Sequence, residues 1–474
     1  MTAFLAVVRL TCRSALRSNV FRLLLFLLLL CIVLVPNTIR GDGTALGFIQ
    51  VILEYSLGFV AFILSASSIW LSCSELCTDV ENGQLHMIVV KPISRATVWL
   101  GKFTGVLLIH TVLLLISSAV IYGFLFWQYE RKDFPEQERS KVENEVLTGR
   151  RVFMPRPPDL QELVQAELER RIQDSASRGE HIPELDGAKR KQYLDQLTKQ
   201  IMANMGEVKV GTERRWQYSG LPDSYDGLLY LRYKAFSSSS TNKQTLARGG
   251  WFMRLMQEKR ESDAPDAPVT GYVPVYISKD PEEILCGATN EFAVPGKIAV
   301  HKGTAEFGFA NLTPDGSSLY FQQADGPKLM IRVTGFTENY CRAVFVTFLG
   351  LAALTGIACA IGALVSMPVA VFLTVSYLVI GVLSNYLLGS LAKTEGLPRS
   401  FLENIGAWAS TLMVTLLIPL QDFFVSSHVS DGELVEFALI GKLVLLNLLL
   451  RGLPLCLLGI WLYSRRELGT AMKR

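Results

Sequence analysis

The chain has 474 residues, half of them hydrophobic, with 46 Lys and Arg against 43 Asp and Glu for a net charge of +3. A mean hydropathy of +0.31 lies above that of ordinary soluble proteins, and so small a net charge argues against a dedicated nucleic-acid binder. The apolar excess is concentrated in residues 20–127 and 338–464, whereas residues 128–337 carry the charge density of a soluble domain. The fold class expected is an α-helical polytopic membrane domain of six transmembrane helices plus a re-entrant hairpin. An inserted α+β extracytoplasmic domain contains a β-sandwich.

Residues 1–19 are too polar to cross a bilayer. Phe4, Val7, Val8, Leu10 and Leu16 alternate there with Arg9, Arg13 and Arg17, which predicts an amphipathic helix lying at the inner interface. No small-residue cleavage site ends it, which argues against a removed signal peptide. A helix needs about 20 apolar residues to cross the hydrocarbon layer, and Val20 to Pro36, Phe48 to Leu71 and Trp99 to Trp127 meet that length. Arginines at the start and Arg465, Arg466, Lys473 and Arg474 at the end place both termini, including the tail 465–474, in the cytoplasm by the positive-inside rule. The polar segment 75–98 between spans two and three is then cytoplasmic, and the insert 128–337 lies outside.

In the insert, residues 130–205 carry apolar positions at helical spacing in ELVQAELERRIQ and AKRKQYLDQLTKQIMANM. From Glu207 to residue 337 the period changes toward two. LLYLRYKAF (228–236), WFMRLM (251–256), GYVPVYI (271–277), KIAVHK (297–302), SLYFQQ (318–323) and KLMIRVTGF (328–336) read as strands of a small antiparallel sandwich. Such a sandwich either binds a ligand or extends the protein outward. Cys286 and Cys341 are the two cysteines expected outside, as a disulfide or as two free thiols. Cys73 and Cys77, spaced C-x-x-x-C with no matching His or Cys pair, do not read as a zinc site.

After the insert, Val344 to Leu391 is long enough for two spans, with Pro368 marking a turn between them. Residues 404–437 read as a re-entrant or interfacial hairpin on the outer side, because Asn404 to Phe424 is apolar but carries Pro419 and is followed by SSHVSDGE. The alternative is a seventh span. Leu443 to Tyr463 makes the last crossing. Two ionisable side chains fall inside spans, Glu54 and Arg451, and the reading for them is an ion pair or a polar path. The competing reading is that both reach the headgroups.

The chain has no G-x-x-x-x-G-K-[ST] phosphate loop, no H-E-x-x-H and no G-x-S-x-G, so an enzyme with its own ATPase motifs is not expected. The segment SELCTDVENGQLHMIVVKPISRATVWLGK, however, places Glu75, Asp79 and Glu81 before Gly83 and Gln84, then Pro92, Ser94 and Arg95, and Gly101 and Lys102 at the start of a span. This arrangement resembles the cytoplasmic segment of the permease subunits of type 2 ABC exporters. Gln84 stands where a Thr or similar small residue is common, and His86 is unusual. The resemblance extends to the N-terminal helix, the six spans, the hairpin before the last one and the RRE at Arg465 to Glu467, but residues 128–337 lie outside the common core.

The resemblance implies an exporter permease, a homodimer or a pair with a related chain, and a soluble ABC-type ATPase as partner. ATP would act through that partner, with no cofactor bound directly. Glu75, Asp79 and Glu81 would meet the ATPase, while Lys91, Arg95 and Lys102 suit membrane lipid phosphates. The bland reading of the segment is a cytoplasmic turn with snorkelling basic residues. A different class, a membrane-anchored binding or assembly protein acting through its outer sandwich, stands beside the permease.

Overall fold

The computed structural model describes the chain apart from residues 1, 39–42, 82–92, 158–159, 178–192, 239–245, 259–271, 279–281, 323–325, 394–404 and 466–474, and single positions between 195 and 203 and between 407 and 416. It divides into two compact units, Met1–Gly149 with Thr334–Arg474, and Arg150–Val333.

The first unit is helical. It contains α1 (Thr2–Arg17), α2 (Asn19–Thr38), α3 (Ala45–Glu81), α4 (Arg95–Arg131) and α5 (Glu136–Glu145). After the second unit come α8 (Phe336–Gly362), α9 (Met367–Lys393), a 3-10 turn (Leu420–Phe423), α10 (Ser426–Ser430) and α11 (Phe437–Arg465). Among the described residues five helices, α3, α4, α8, α9 and α11, are long and apolar enough to cross a membrane. The pair α1 and α2 meets the same test only when taken together, and it is bent by 71°. Ser18 makes the bend: its N–H closes α1 on Ser14 O at 3.2 Å, and its Oγ accepts from the N–H of Phe21 at 3.4 Å to open α2.

Pro368 falls in the first turn of α9, where its missing N–H costs no helical bond. Leu23, Phe62, Leu115, Phe372 and Leu450 are exposed on the helices, an apolar exterior compatible with a membrane protein. Between helices the contacts are small and close. A Cβ on Gly459 of α11 would lie 2.7 Å from Cβ of Ala360, and one on Gly362 of α8 would lie 3.2 Å from Cα of Cys73. Ser68 and Thr355 share a buried hydrogen bond of 2.7 Å between α3 and α8. The Cys77 thiol bonds the carbonyl of Gly362 at 3.2 Å, and all eight cysteines are free.

The second unit is β-rich. Its strands are β1 (Thr148–Phe153), β2 (Glu207–Val208), β3 (Glu213–Ser219), β4 (Leu228–Ser237), β5 (Leu246–Glu258), β6 (Tyr272–Ser278), β7 (Glu282–Leu285), β8 (Thr289–Pro295), β9 (Thr304–Asn311), β10 (Leu319–Phe321) and β11 (Lys328–Gly335), with helices α6 (Leu160–Ser177) and α7 (Gly296–Ala299). One sheet runs β1-β11-β4-β10-β2 with β8 also on β4, and the other runs β3-β9-β5-β6 with β7 also on β5. Leu229, Leu231 and Leu329 from the first sheet and Tyr218, Trp251, Phe307 and Phe309 from the second fill one apolar core.

Several sequence expectations need correction. TGRRVF, inside the stretch 130–205 read as helical, is strand β1 on the edge of a sheet, and α5 groups with the helical unit. KIAVHK is not a strand: Gly296–Ala299 forms a helical turn before the His301–Thr304 bridge. Strands β3, β7, β8 and β9 were not anticipated. In β9 the sequence TAEFGFAN carries Gly308, whose Cβ would lie 2.1 Å from Cζ of Phe252, so the glycine makes room for an aromatic ring of β5. In the first part of the hairpin 404–437, residues 405, 406, 408, 409, 411, 412 and 415 are helical, and the positions between them lie outside the described residues. Its later part is the 3-10 turn and α10.

Candidate functional site

The segment 75–98 begins on the last turns of α3 and ends in the first turn of α4. Lys102 is 4% exposed, its ammonium donates to the carbonyl oxygen of Glu75, and the Glu75 carboxylate lies 3.7 Å away with 11% of its side chain exposed. A buried ammonium without such partners would cost several kcal/mol, so this pair joins α3 to α4 and turns Glu75 inward. Ser94 is the N-cap of α4, its Oγ accepting from the N–H of Thr97 at 3.2 Å. Arg95 donates through Nη1 to the carbonyl of Ser464 at 2.9 Å, tying the start of α4 to the end of α11.

Of the residues named for docking, Glu75 and Arg95 hold helices together and Ser94 caps α4. Asp79 and Glu81 belong to the last turn of α3, with their side chains outside the described residues, as are Gly83, Gln84 and Pro92 altogether. One turn beyond Gly101 stands Gly105, and the two form the seat of α1. A Cβ at Gly101 would lie 2.7 Å from Val7 Cγ1, and one at Gly105 would lie 2.8 Å from Thr11 Cβ. Val7, Val8, Thr11 and Ala15 are accordingly buried, while Arg9, Arg13 and Arg17 are exposed. The sequence contains this signal in GKFTG, a small-x-x-x-small spacing.

The expected union of Glu54 and Arg451 is not formed. Glu54 is exposed on α3, and Arg451 is engaged elsewhere. Its Nη1 donates to the carbonyl of Leu417 and to Asn447 Oδ1, each at 3.2 Å. Next to Leu417, the N–H of Ile418 donates to Tyr377 Oη at 2.9 Å. The backbone leaves helical geometry at Leu417 to Pro419, and these two side chains satisfy the groups released there. Residues 443–452 of α11, which carry both Asn447 and Arg451, adopt a π-helix, a wider turn often found where a helix serves a site. His110 on α4 is fully buried, with Nδ1 2.8 Å from Val106 O and Nε2 3.1 Å from Ser67 Oγ.

In the β unit, Glu291 sits between two guanidinium groups, 2.6 Å from Arg150 Nη1 and 2.7 Å from Arg232 Nε. All three side chains are at most 9% exposed. Burial pushes the Glu291 carboxyl up, but Arg232 and Arg150 outweigh it and hold the group below the usual carboxylate range. Arg232 and Glu291 are direct cross-strand partners on β4 and β8.

No protein-family model, no curated protein and no solved structure matches this chain.

Proposed function

We propose that the chain is the permease subunit of a type 2 ABC exporter, moving a substrate outward at the expense of ATP hydrolysed by a separate soluble subunit. In this reading α2 is the first of six spans, followed by α3, α4, α8, α9 and α11. Both termini are cytoplasmic, residues 404–437 form the outer hairpin, and the β unit is an extracytoplasmic sandwich. A second copy or a related chain completes the passage. The spacing of Glu75, Asp79, Glu81, Gly83, Gln84, Pro92, Ser94 and Arg95 supports the family assignment.

The observation that carries the coupling role is the Glu75–Lys102 clamp. Helices α3 and α4 have 37 residues each, about 55 Å at 1.5 Å per residue, against about 30 Å of hydrocarbon. Two rods that protrude so far and are pinned to each other beside their connection move as one lever. Arg95 extends the lever to α11. A push delivered to residues 82–92 would therefore reach three helices without bending any of them.

The test is purification of the chain from its native membranes in mild detergent, with ATP hydrolysis measured in the eluted complex. We expect activity to co-elute with the wild-type chain and to fall more than tenfold when residues 82–92 are replaced by a Gly-Ser stretch of equal length. Glu75, Ser94 and Arg95 are left intact so that the bundle keeps its clamps. Activity retained by that variant, or absent from both preparations, overturns the proposal.

A further inference from the structure

The β unit contains a cavity of about 710 Å³, well inside the range of small-molecule sites. Its walls include Trp216 on β3, Phe236 on β4 and Tyr320 and Phe321 on β10, and its cations are Arg214 on β3 and Arg156 in the segment before α6. Strand β3 alternates, with Arg214, Trp216 and Tyr218 on its inner side and Glu213, Arg215 and Gln217 outside. An arginine therefore occupies a position that the alternation reserves for the core. Its guanidinium stands 5.9 Å from the ring of Trp216, and among the described residues neither Arg214 nor Arg156 has a carboxylate partner.

Elsewhere in this unit buried arginines are neutralised, as Arg150 and Arg232 are by Glu291. Arg214, partly buried, has lost part of its water without gaining an acid among the described residues, and burial accordingly lowers it from the ordinary guanidinium value. It remains charged at neutral pH. Arg156 lines the same cavity, its backbone anchored to β3 by an N–H that donates to Gln217 O at 2.7 Å. The prolines on either side, Pro155 and Pro157, also line the cavity and stiffen that segment.

We infer that this cavity is a binding site for an amphipathic anion, an apolar body seated among Trp216, Phe236 and Phe321 with a carboxylate or phosphate held by Arg214 and Arg156. The aromatic faces supply area that neither water nor a simple ion would use. The planar guanidinium matches both carboxylate and phosphate oxygens. The inference does not depend on coupling to ATP, and its test makes no use of nucleotide.

The full chain in nanodiscs of zwitterionic lipid would be titrated with octanoate, octyl phosphate and octanol, with empty nanodiscs subtracted. At least one of the two anions should bind saturably and about tenfold or more tighter than octanol, the worth of one charge-assisted hydrogen bond. Preference between the two anions identifies the headgroup. Arg214→Ala should remove that margin and leave octanol unchanged, and Arg214→Lys should restore part of it, which separates loss of charge from loss of fold. Equal binding of anions and alcohol, no saturable binding of any of the three, or an unaltered margin in Arg214→Ala overturns the site.

Discussion

A carboxylate buried between two guanidinium groups makes the β unit sensitive to acid at Glu291. Glu291 has its folded pKa below the unfolded value, so its stabilisation is complete above about pH 4.3 and is lost as pH falls through the folded pKa. Replacing Glu291 by Gln should destabilise the β unit by about 3–5 kcal/mol at neutral pH, because Arg150 and Arg232 would stay buried without a counter-charge. Hydrogen exchange in β4 and β8 measures this. The difference from the unsubstituted chain should narrow below about pH 4.3, and a constant difference across that range would sink the argument. Little of this was legible in the sequence, since Glu291 lies 59 residues from Arg232 and 141 from Arg150, and only register brings them together. Glu75 was legible as a notable acid, but its pairing with Lys102, 27 residues on at the far end of the same segment, was not, because only the packing of α3 against α4 brings the two together.

At the scale of elements, Arg451 shows why an ionisable residue inside an apolar helix need not mark a path. Arg451 and Tyr377 take up the Leu417 carbonyl and the Ile418 N–H where the backbone leaves helical geometry before the 3-10 turn. Arg451→Gln keeps a donor and should preserve the assembly, whereas Arg451→Leu orphans the carbonyl. Detergent-solubilised Arg451→Leu should lose roughly 1–3 kcal/mol of stability, read as a lower melting temperature. Equal loss in both variants would instead point to the charge itself. The long apolar helices were legible because 20 or more apolar residues have few other uses. The helix break, whose stabilising donor comes from 34 residues away, was visible only as Pro419 and an ambiguous apolar run. Among the strands, those with alternating Leu, Tyr and Val were legible. Strand β9 was hidden by Gly308, and the edge strand β1 by two arginines.

At the scale of the whole chain, the two units have separate apolar cores, one built from α3, α4, α8 and their neighbours and the other from β2 to β5 and β7 to β11. Strands β1 and β11, where the chain enters and leaves the β unit, are neighbours in one sheet. Joining Gly149 to Thr334 through a short linker should leave a helical unit that inserts and elutes as a single species, and residues 150–333 alone should fold with a β-rich circular dichroism spectrum. An aggregated helical remnant or an unfolded fragment would show that the cores depend on each other. The seat of α1 imposes an order on synthesis as well. Cys12 of α1 meets the carbonyl of Gly105, which follows it by 93 residues. At about 5–20 residues per second the ribosome needs roughly 5–20 seconds to supply that seat. Helix α1 thus has to be held, by lipid or by a chaperone, until α4 has been made.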